Sequence, residues 1–258
     1  AAPLFLCLFG VVIHFLRVKY RKIHGCSSLI SHCVCKGDEC FQMIFFHGQK
    51  FDLRGQSGIP VLGVNLGRLG FLSENVPENV ADAVNSHAFT IERRSMLHAC
   101  GVDSEWPYAL NEMSVHRSGA AMLGVDVSIN GVPLPTYWAD GLLVATSSGS
   151  TAYSLSVGGP IVLPDSRVLI VAPIAPHNLN VRPLIVPDTS EISIRFRARD
   201  SRVVFTMDNR TQEIQAGSRI DIRMAQFSLN RVRLNDSDFI KALTTKLYWG
   251  EDIRNGNE

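Results

Sequence analysis

The densest group of potentially reactive side chains lies in residues 139–160, ADGLLVATSSGSTAYSLSVGGP. Five Ser and five residues that are Gly or Pro surround Asp140 and Tyr153, and the apolar letters GLLVA are typical of a buried strand. A hydrophobic core does not need this many hydroxyl groups, since each one must find a partner when it is buried. The composition therefore indicates a site for a polar molecule.

Three further side chains suit a nucleotide. The amide of Asn111 offers both a donor and an acceptor to a purine edge, and the carboxylate of Glu112 can accept hydrogen bonds from neighbouring ribose hydroxyls. The carboxylate of Asp140 could serve a carboxamide or a second ribose in the same way.

The segment GSTAY adds complementary chemistry. Thr151 offers a hydroxyl and a backbone amide, Ala152 allows close approach, and Tyr153 presents a ring on which a base can stack. Each residue alone also fits an ordinary structural role, as a solvated strand end, a helix cap or part of the core. Together they favour a nucleotide site.

Several other kinds of site are excluded. The chain has no G-x-x-x-x-G-K-[ST] loop, and GVNLGRLG does not follow the G-x-G-x-x-G dinucleotide pattern. Ser150 lacks the two flanking glycines of a nucleophile elbow. A net charge of +1 and a pI near 7.8 provide no broad electrostatic surface, so we expect neither nucleic acid nor membrane as a partner.

The elements that position these residues form two groups. Residues 58–65, GIPVLGVN, predict a buried parallel strand, and residues 75–87 predict a helix after it. From about residue 90 onward, short β-branched runs alternate with turns such as Asn130-Gly131, which predicts a mostly antiparallel β domain. Residues 238–249 predict an amphipathic helix.

Three domain ranges follow from this pattern. Residues 1–95 are expected to form an α/β nucleotide-binding domain, complete or not, in which residues 1–56 are atypical. Residues 96–235 are expected to form the β-rich domain. Because the faces of that β domain should already pair, we expect the helix within residues 236–258 to pack back on the N-terminal domain.

Four sequence blocks in succession resemble bacterial NAD kinases. They are GVNLGRLGFLSE at residues 63–74, ALNEMSVHR at 109–117, DGLLVATSSGSTAYSLSVGGPIV at 140–162 and IAPHNLNVRPLIVP at 174–187. The blocks stand in the family's order and at similar separations, and the resemblance covers about residues 57–258.

The resemblance implies a fold and an activity. The fold is an α/β N-terminal domain followed by a mostly antiparallel, β-sandwich-like C-terminal domain. The activity is transfer of the terminal phosphate of ATP, or of polyphosphate, to the 2′-hydroxyl of NAD, which gives NADP. Mg²⁺ or another divalent metal would accompany ATP, with no tightly bound cofactor and no protein metal site. The resemblance further implies a cytoplasmic homodimer or homotetramer.

The resemblance also assigns roles to residues. Asn111 and Glu112 would bind the adenosine portion of the dinucleotide, Phe71 would line the pocket, and Asp140 would hold the nicotinamide end. The remaining adenine and ribose contacts would come from Ser148, Thr151, Ala152, Tyr153 and Ser156.

Four positions depart from the family pattern. Ser147 stands where a Pro is frequent, Trp138 stands where an Arg is common, and Asn209-Arg210 replace a frequent Gly-Gln. The largest departure lies near Ile44, where the family carries Gly-Gly-Asp-Gly-Thr and this chain has FQMIFF at residues 41–46. The Asp of that motif is taken as the base for the ribose hydroxyl, so the sequence identifies no catalytic residue.

Residues 1–50 differ in composition from the rest of the chain. They hold five of the six Cys, four of the eight His and only two of the 24 acidic residues. A wrong reading frame or start, a genuinely replaced N-terminus, a zinc site and a signal-peptide core all remain open for this segment. The chain also begins without Met, which favours a fragment or a conceptual product.

Two function classes therefore stay open. The first is an NAD kinase, and the second is a catalytically impaired or truncated NAD(P)-binding homologue. A lipid kinase of the wider superfamily is disfavoured because the NE and GSTAY blocks belong to the dinucleotide branch. Without the motif acid, we expect little or no kinase activity from the chain as written.

Overall fold

The computed structural model describes residues 31–36, 39–46, 58, 60–65, 80, 82–84, 86–235 and 238–250. For residues 31–36, 39–46, 64 and 65 it describes the backbone alone. The chain divides into two compact units. One comprises the described parts of residues 1–50, 62–90 and 232–258, and the other comprises those of residues 51–61 and 91–231.

The chain contains eighteen described strands. The first nine are β1 (Ser31–Lys36), β2 (Glu39–Phe46), β3 (Val61–Asn65), β4 (Phe89–Arg94), β5 (Leu97–Cys100), β6 (Tyr108–Ala109), β7 (Glu112–Arg117), β8 (Leu123–Ile129) and β9 (Val132–Pro133). The others are β10 (Tyr137–Ala139), β11 (Gly141–Thr146), β12 (Val168–Ile174), β13 (Leu184–Pro187), β14 (Ile192–Arg197), β15 (Arg202–Met207), β16 (Arg210–Gln215), β17 (Arg219–Met224) and β18 (Leu229–Leu234). The helices whose full bounds the structure describes are a 3₁₀ turn at Ser148–Thr151, α1 (Tyr153–Ser156) and α2 (Phe239–Leu247).

One sheet has five strands in the order β1-β2-β3-β18-β4. Strands β1 and β2 form an antiparallel pair, whereas β3 pairs with β18 in parallel through Val61 and Arg231. Val61 and Leu62 are buried, in agreement with the predicted buried parallel strand. The FQMIFF segment lies within β2, so its backbone is extended at the position of the family's glycine-rich turn.

The unit formed by residues 91–231 is an antiparallel β-sandwich. Its seven-stranded sheet has the order β10-β8-β14-β17-β5-β6, with β9 added beside β8, and its six-stranded sheet has the order β13-β12-β11-β7-β15-β16. Apolar side chains from both sheets form one buried cluster between them, with Phe196 contributed by β14 and Phe205 by β15. The prediction of a mostly antiparallel C-terminal domain is therefore confirmed.

Strand β11 is buried on both of its faces. Leu142 and Val144 point into the sandwich core, whereas Leu143 and Ala145 pack in a second apolar cluster that includes Val162. β11 pairs with β12 on one side and with β7 on the other. It therefore holds in place the two polar segments that it joins, one before Gly141 and one after Thr146.

Several of the described strands were not predicted from the sequence, among them β1, β2, β10, β13, β16 and β18. The residues of β16, RTQEIQ, alternate between partly buried and exposed but include few strong strand formers. Strand β18 lies between β3 and β4 in the five-stranded sheet, and these partners lie far from it in sequence. The hairpin turn predicted at Asn130-Gly131 does join β8 to β9, with positive φ at both residues.

Helix α2 is shorter than predicted. The carboxylate of Asp238 caps it by accepting from the backbone N–H groups of Ile240 and Lys241, and a left-handed Tyr248 ends it. Its packing on the N-terminal domain stays a prediction. Of the helix predicted over residues 75–87, residues 80 and 82–84 are helical and most of the others lie outside the described residues. Among the helices that the structure describes, none combines the length and the apolar character needed to span a bilayer.

Candidate functional site

The candidate site lies on the outer face of the six-stranded sheet. Along β7, Met113 and Val115 face the sandwich core, so the alternation of a strand places Glu112, Ser114 and His116 on the opposite face. One side of β7 thus belongs to the core, and the other presents polar groups beside α1.

A chain of polar contacts runs across this outer face. The Ser114 hydroxyl lies 2.8 Å from His116 Nε2 and 2.6 Å from the hydroxyl of Thr206 on β15. The His116 ring stacks on Tyr153 with 5.9 Å between ring centroids and 22° between ring planes. Burial lowers the pKa of His116, so the imidazole under Tyr153 is held in its neutral form.

The polar loop after β11 is tied to the segment before β7. Thr146 donates its backbone N–H to the carbonyl of Asn111 at 2.9 Å and its hydroxyl to the carbonyl of Leu110 at 2.7 Å. Its hydroxyl also accepts from the N–H of Gly149 at 3.1 Å. The loop carrying Ser148 therefore lies directly against the backbone of Asn111.

Gly149 is required by this close approach. A Cβ at that position would lie 2.1 Å from the carbonyl oxygen of Asn111, which is backbone and cannot swing away. Gly149→Ala is therefore expected to reduce the free energy of unfolding by roughly 1–3 kcal/mol. Urea unfolding measures this loss, with Ser156→Ala at an exposed position of the neighbouring helix α1 as the control. Equal midpoints for Gly149→Ala and the wild-type chain would contradict the contact.

Glu112 and Asp208 are both perturbed acids of the site, because burial raises the pKa of each carboxyl group. The side chain of Glu112 is buried, and burial together with the nearby charge of Asp208 raises its pKa to about 8, although a hydrogen bond from the backbone N–H of Tyr153 acts in the opposite direction. The carboxyl group is therefore mostly protonated at neutral pH. A strongly perturbed acid beside a partly exposed ring is typical of a functional site.

Three buried polar atoms of the site lack a hydrogen-bond partner within the described part of the protein. They are Asn111 Oδ1, Glu112 Oε2 and Ser148 Oγ. Native proteins leave few such atoms unpaired, and these three lie on two segments that touch each other. The arrangement can bind a molecule that supplies several hydrogen-bond donors and acceptors beside an aromatic ring.

Asp140 does not join this group within one chain. It lies opposite Arg117, five residues along β7 from Glu112, which corresponds to about 16 Å at ~3.3 Å per residue. Strand alternation places its side chain on the face of Leu142, not on that of Glu112. Its carboxylate pairs with the guanidinium of Arg117, with 2.8 Å between Oδ1 and Nε.

Comparison with known proteins identifies the family. The model of the ATP-NAD kinase C-terminal domain matches residues 110–234, which include the whole outer-face site. The NAD kinase of Bacteroides fragilis is 41% identical over 207 residues, which are 78% of this chain and 71% of that protein. The NAD kinase of Flavobacterium psychrophilum is 37% identical over 233 residues, which are 84% and 79% of the two chains. The chain belongs to the NAD kinase family.

Solved structures of the NAD kinase family have the same fold. Yeast NADH kinase in complex with NADH has a TM-score of 0.69 at 29% identity; the match covers 77% of this chain and 62% of the yeast chain, less than two thirds of it. The NAD kinase of Archaeoglobus fulgidus in complex with ATP has a TM-score of 0.63 at 27% identity, with 73% and 74% covered. The family is one of phosphotransferases.

The remaining residues expected from the NAD kinase pattern occupy different settings. Thr151 and Ala152 are partly buried beside Tyr153, whereas Ser156 is exposed on α1. Phe71 lies outside the described residues. Trp138, which stands where the resemblance leads us to expect an Arg, is exposed in the middle of β10. The assigned roles stay predictions.

Several residues near the site were not predicted from the sequence, among them Asp208 and His116. The carboxylate of Asp208 accepts hydrogen bonds from the backbone of the segment that holds Asn111, and His116 stacks on Tyr153. His116 lies inside the ALNEMSVHR block, so its outward position could have been read from strand alternation. No local signal reveals Asp208, because it lies about a hundred residues away in sequence. Among the described residues, no three His, Cys, Asp or Glu side chains are grouped to hold a metal.

Proposed function

We propose that this chain transfers the terminal phosphate of ATP to the 2′-hydroxyl of NAD and that the outer-face site binds the adenosine portion of NAD. The observation that carries the proposal is the trio of unpartnered buried atoms on Asn111, Glu112 and Ser148 beside the ring of Tyr153. An adenosine supplies what these atoms need, namely an amino group, ring nitrogens, ribose hydroxyls and an aromatic face.

The geometry supports the following roles for the predicted site residues. The amide of Asn111 would contact the base edge, and the carboxyl group of Glu112, largely protonated before binding, would exchange hydrogen bonds with the ribose hydroxyls. Tyr153 would stack on the base, with His116 supporting the other side of its ring. Phe71, Ser148, Thr151, Ala152 and Ser156 would provide the remaining contacts of the pocket.

The position of Asp140 favours an oligomeric site. Because its side chain lies on the other face of the sheet, about 16 Å along the strand from Glu112 by strand spacing, one copy does not bring the two carboxyl groups together. In a homodimer or homotetramer, Asp140 of one copy could reach the nicotinamide end of a dinucleotide bound by Glu112 of another. Size measurement in solution, with and without NAD, tests this arrangement.

The phosphate donor is proposed to be ATP as its complex with Mg²⁺ or another divalent metal, and the metal enters as part of that substrate. Polyphosphate is the second donor to test. The proposed setting is the cytoplasm, where both nucleotides are available.

Family membership favours the kinase over the binding-only alternative. The deciding assay incubates the purified full chain with NAD and MgATP, or with NAD and polyphosphate, and follows NADP with a coupled dehydrogenase. Formation of NADP supports the kinase. Binding of NAD by calorimetry without any NADP formation would support the binding-only alternative, and the rate expected of the chain as written stays a prediction.

Asp140→Ala and Tyr153→Ala are each expected to weaken NAD binding. Loss of a charge-assisted hydrogen bond from Asp140 should cost about 1.5–3 kcal/mol of binding free energy, and loss of the stacking ring roughly 0.5–1.5 kcal/mol. Calorimetry measures both effects. Asp126→Ala, which removes an ion pair with Arg197 in the seven-stranded sheet, is the matched control and should leave the affinity unchanged. Equal affinities in the wild-type chain and both site variants would remove the assignment.

A further inference from the structure

The turn between β15 and β16 contacts the segment that carries Asn111 and Glu112. Asp208, in a left-handed conformation with φ of 50°, directs its carboxylate at this segment. Its Oδ2 accepts from the N–H of Leu110 at 2.9 Å. Its Oδ1 accepts from the N–H groups of Asn111 at 2.8 Å and Glu112 at 3.3 Å. One side chain therefore satisfies three consecutive backbone donors.

Those donors need such a partner because the chain changes sheets there. β6, which ends at Ala109, belongs to the seven-stranded sheet, and β7, which begins at Glu112, belongs to the six-stranded sheet. Between β6 and β7 the backbone has left the hydrogen bonds of the first sheet and has not yet joined those of the second. A buried backbone N–H group without a partner costs free energy, so these groups need another acceptor. The carboxylate of Asp208 takes the place of a strand partner.

Arg210 binds the start of the segment that crosses from one sheet to the other, residues 106–112, which is called the crossing below. Its Nη1 donates to the carbonyl of Trp106 at 2.6 Å, and its Nη2 donates to the carbonyl of Tyr108. The fork geometry of a guanidinium allows two separate nitrogens to reach two carbonyls at once. A Gln side chain at this position would have one nitrogen and could not reach both carbonyls.

We propose that Asp208 and Arg210 are positioning residues for nucleotide binding, which fix the crossing of residues 106–112 so that Asn111 and Glu112 present their free oxygens to the ligand. Neither residue needs to touch the nucleotide. Asp208 holds the donors of the crossing and Arg210 its acceptors, so the two act on successive parts of one segment. The adenosine site would then depend on the hairpin that joins β15 to β16.

The test uses full-length chains with Arg210→Gln and Asp208→Asn, and Arg210→Lys as the milder variant that retains the charge. Arg202→Gln is the matched control, because it removes an exposed Arg that pairs with Glu213 on the same two strands. Two quantities are measured below the unfolding temperature of every variant, namely hydrogen exchange of the amides in residues 106–114 and NAD affinity by calorimetry.

We expect Arg210→Gln and Asp208→Asn to accelerate exchange in residues 106–114 and to weaken NAD binding by about tenfold. Arg210→Lys should lie between them and the wild-type chain, and Arg202→Gln should match the wild-type chain. Where turnover is measurable, KM for NAD should rise while kcat changes little, since the lost contacts serve binding equally in the ground and transition states.

Two results would overturn the proposal. One is unchanged exchange in residues 106–114 of both Arg210→Gln and Asp208→Asn. The other is faster exchange with unaltered NAD affinity, which would leave these residues with a purely structural role. The inference rests on the proposed function, but the two can fail separately. If the wild-type chain binds no NAD, the proposed function fails, whereas the exchange data still decide whether the hairpin holds the crossing.

Discussion

Replacing residues 42–46 by Gly-Gly-Asp-Gly-Thr, with the Asp at the position of Ile44, is expected to increase the rate of NADP formation by roughly 10²–10⁴-fold. The ribose 2′-hydroxyl is a poor nucleophile while it is protonated, and no acid stands in FQMIFF to orient it or accept its proton. The segment also lies within the extended strand β2, whereas glycine-rich turns place backbone amides on phosphate oxygens through conformations that bulky residues avoid.

The control for this exchange carries Gly-Gly-Asn-Gly-Thr at the same positions. This control retains the glycines and lacks the base, so its rate of NADP formation should remain near that of the unmodified chain. The difference in rate between the Asp-containing and the Asn-containing chains is then due to the carboxylate. The measurement is the coupled assay for NADP with MgATP. Turnover of about 1 s⁻¹ or more in the unmodified chain would contradict the expectation, and Asp52→Ala would then test the nearest acid after this segment as a substitute base.

Glu112→Gln is expected to change the pH dependence of stability. The pKa of Glu112 is about 8 in the folded chain, against an ordinary value of 4.5, so between these values the folded chain holds a proton that the unfolded chain releases. The contribution of Glu112 to the free energy of unfolding is therefore fully present below pH 4.5. It decreases as the pH rises toward 8, by up to ~1.4 kcal/mol per pH unit. Gln resembles the protonated carboxyl group and has no such dependence.

The variant should consequently be close to the wild-type chain in stability at pH 5 and more stable than it at pH 8–9, by an amount on the order of several kcal/mol. Urea unfolding at intervals between pH 5 and pH 9 measures the difference between the two chains. Glu213→Gln, at an exposed position of β16, is the matched control and should give a constant difference. If the difference in free energy of unfolding between Glu112→Gln and the wild-type chain is also independent of pH, the carboxyl group of Glu112 is not buried as described.

The same protonation affects binding. If ribose hydroxyls donate to the ionised carboxylate of Glu112, the proton that this group holds near neutral pH must leave when NAD binds. The pH dependence of stability in the free protein and the release of a proton on NAD binding thus depend on the same carboxyl group, that of Glu112.

The sequence by itself determined the family and the general fold. GIPVLGVN predicted a buried parallel strand because a short apolar run between turn residues is a local pattern, and β3 has that character. The short runs after residue 90 predicted an antiparallel β domain for the same reason, and the sandwich confirms it. The residues ALNEMSVHR and GSTAY were recognised through their order along the chain, which needs no knowledge of contacts.

Only the tertiary structure decided how these residues are used. The sequence assigned both Glu112 and Asp140 to one dinucleotide site, but strand register places them on different faces of the sheet. The raised pKa of Glu112 depends on its burial and on Asp208, which approaches it from a distant hairpin. Asp208 and Arg210 gave no local signal, because their partners lie about a hundred residues away. The physical reason is common to all three cases: a strand pattern specifies which residues can face one another, whereas burial, charge and hydrogen bonding depend on which strands become neighbours.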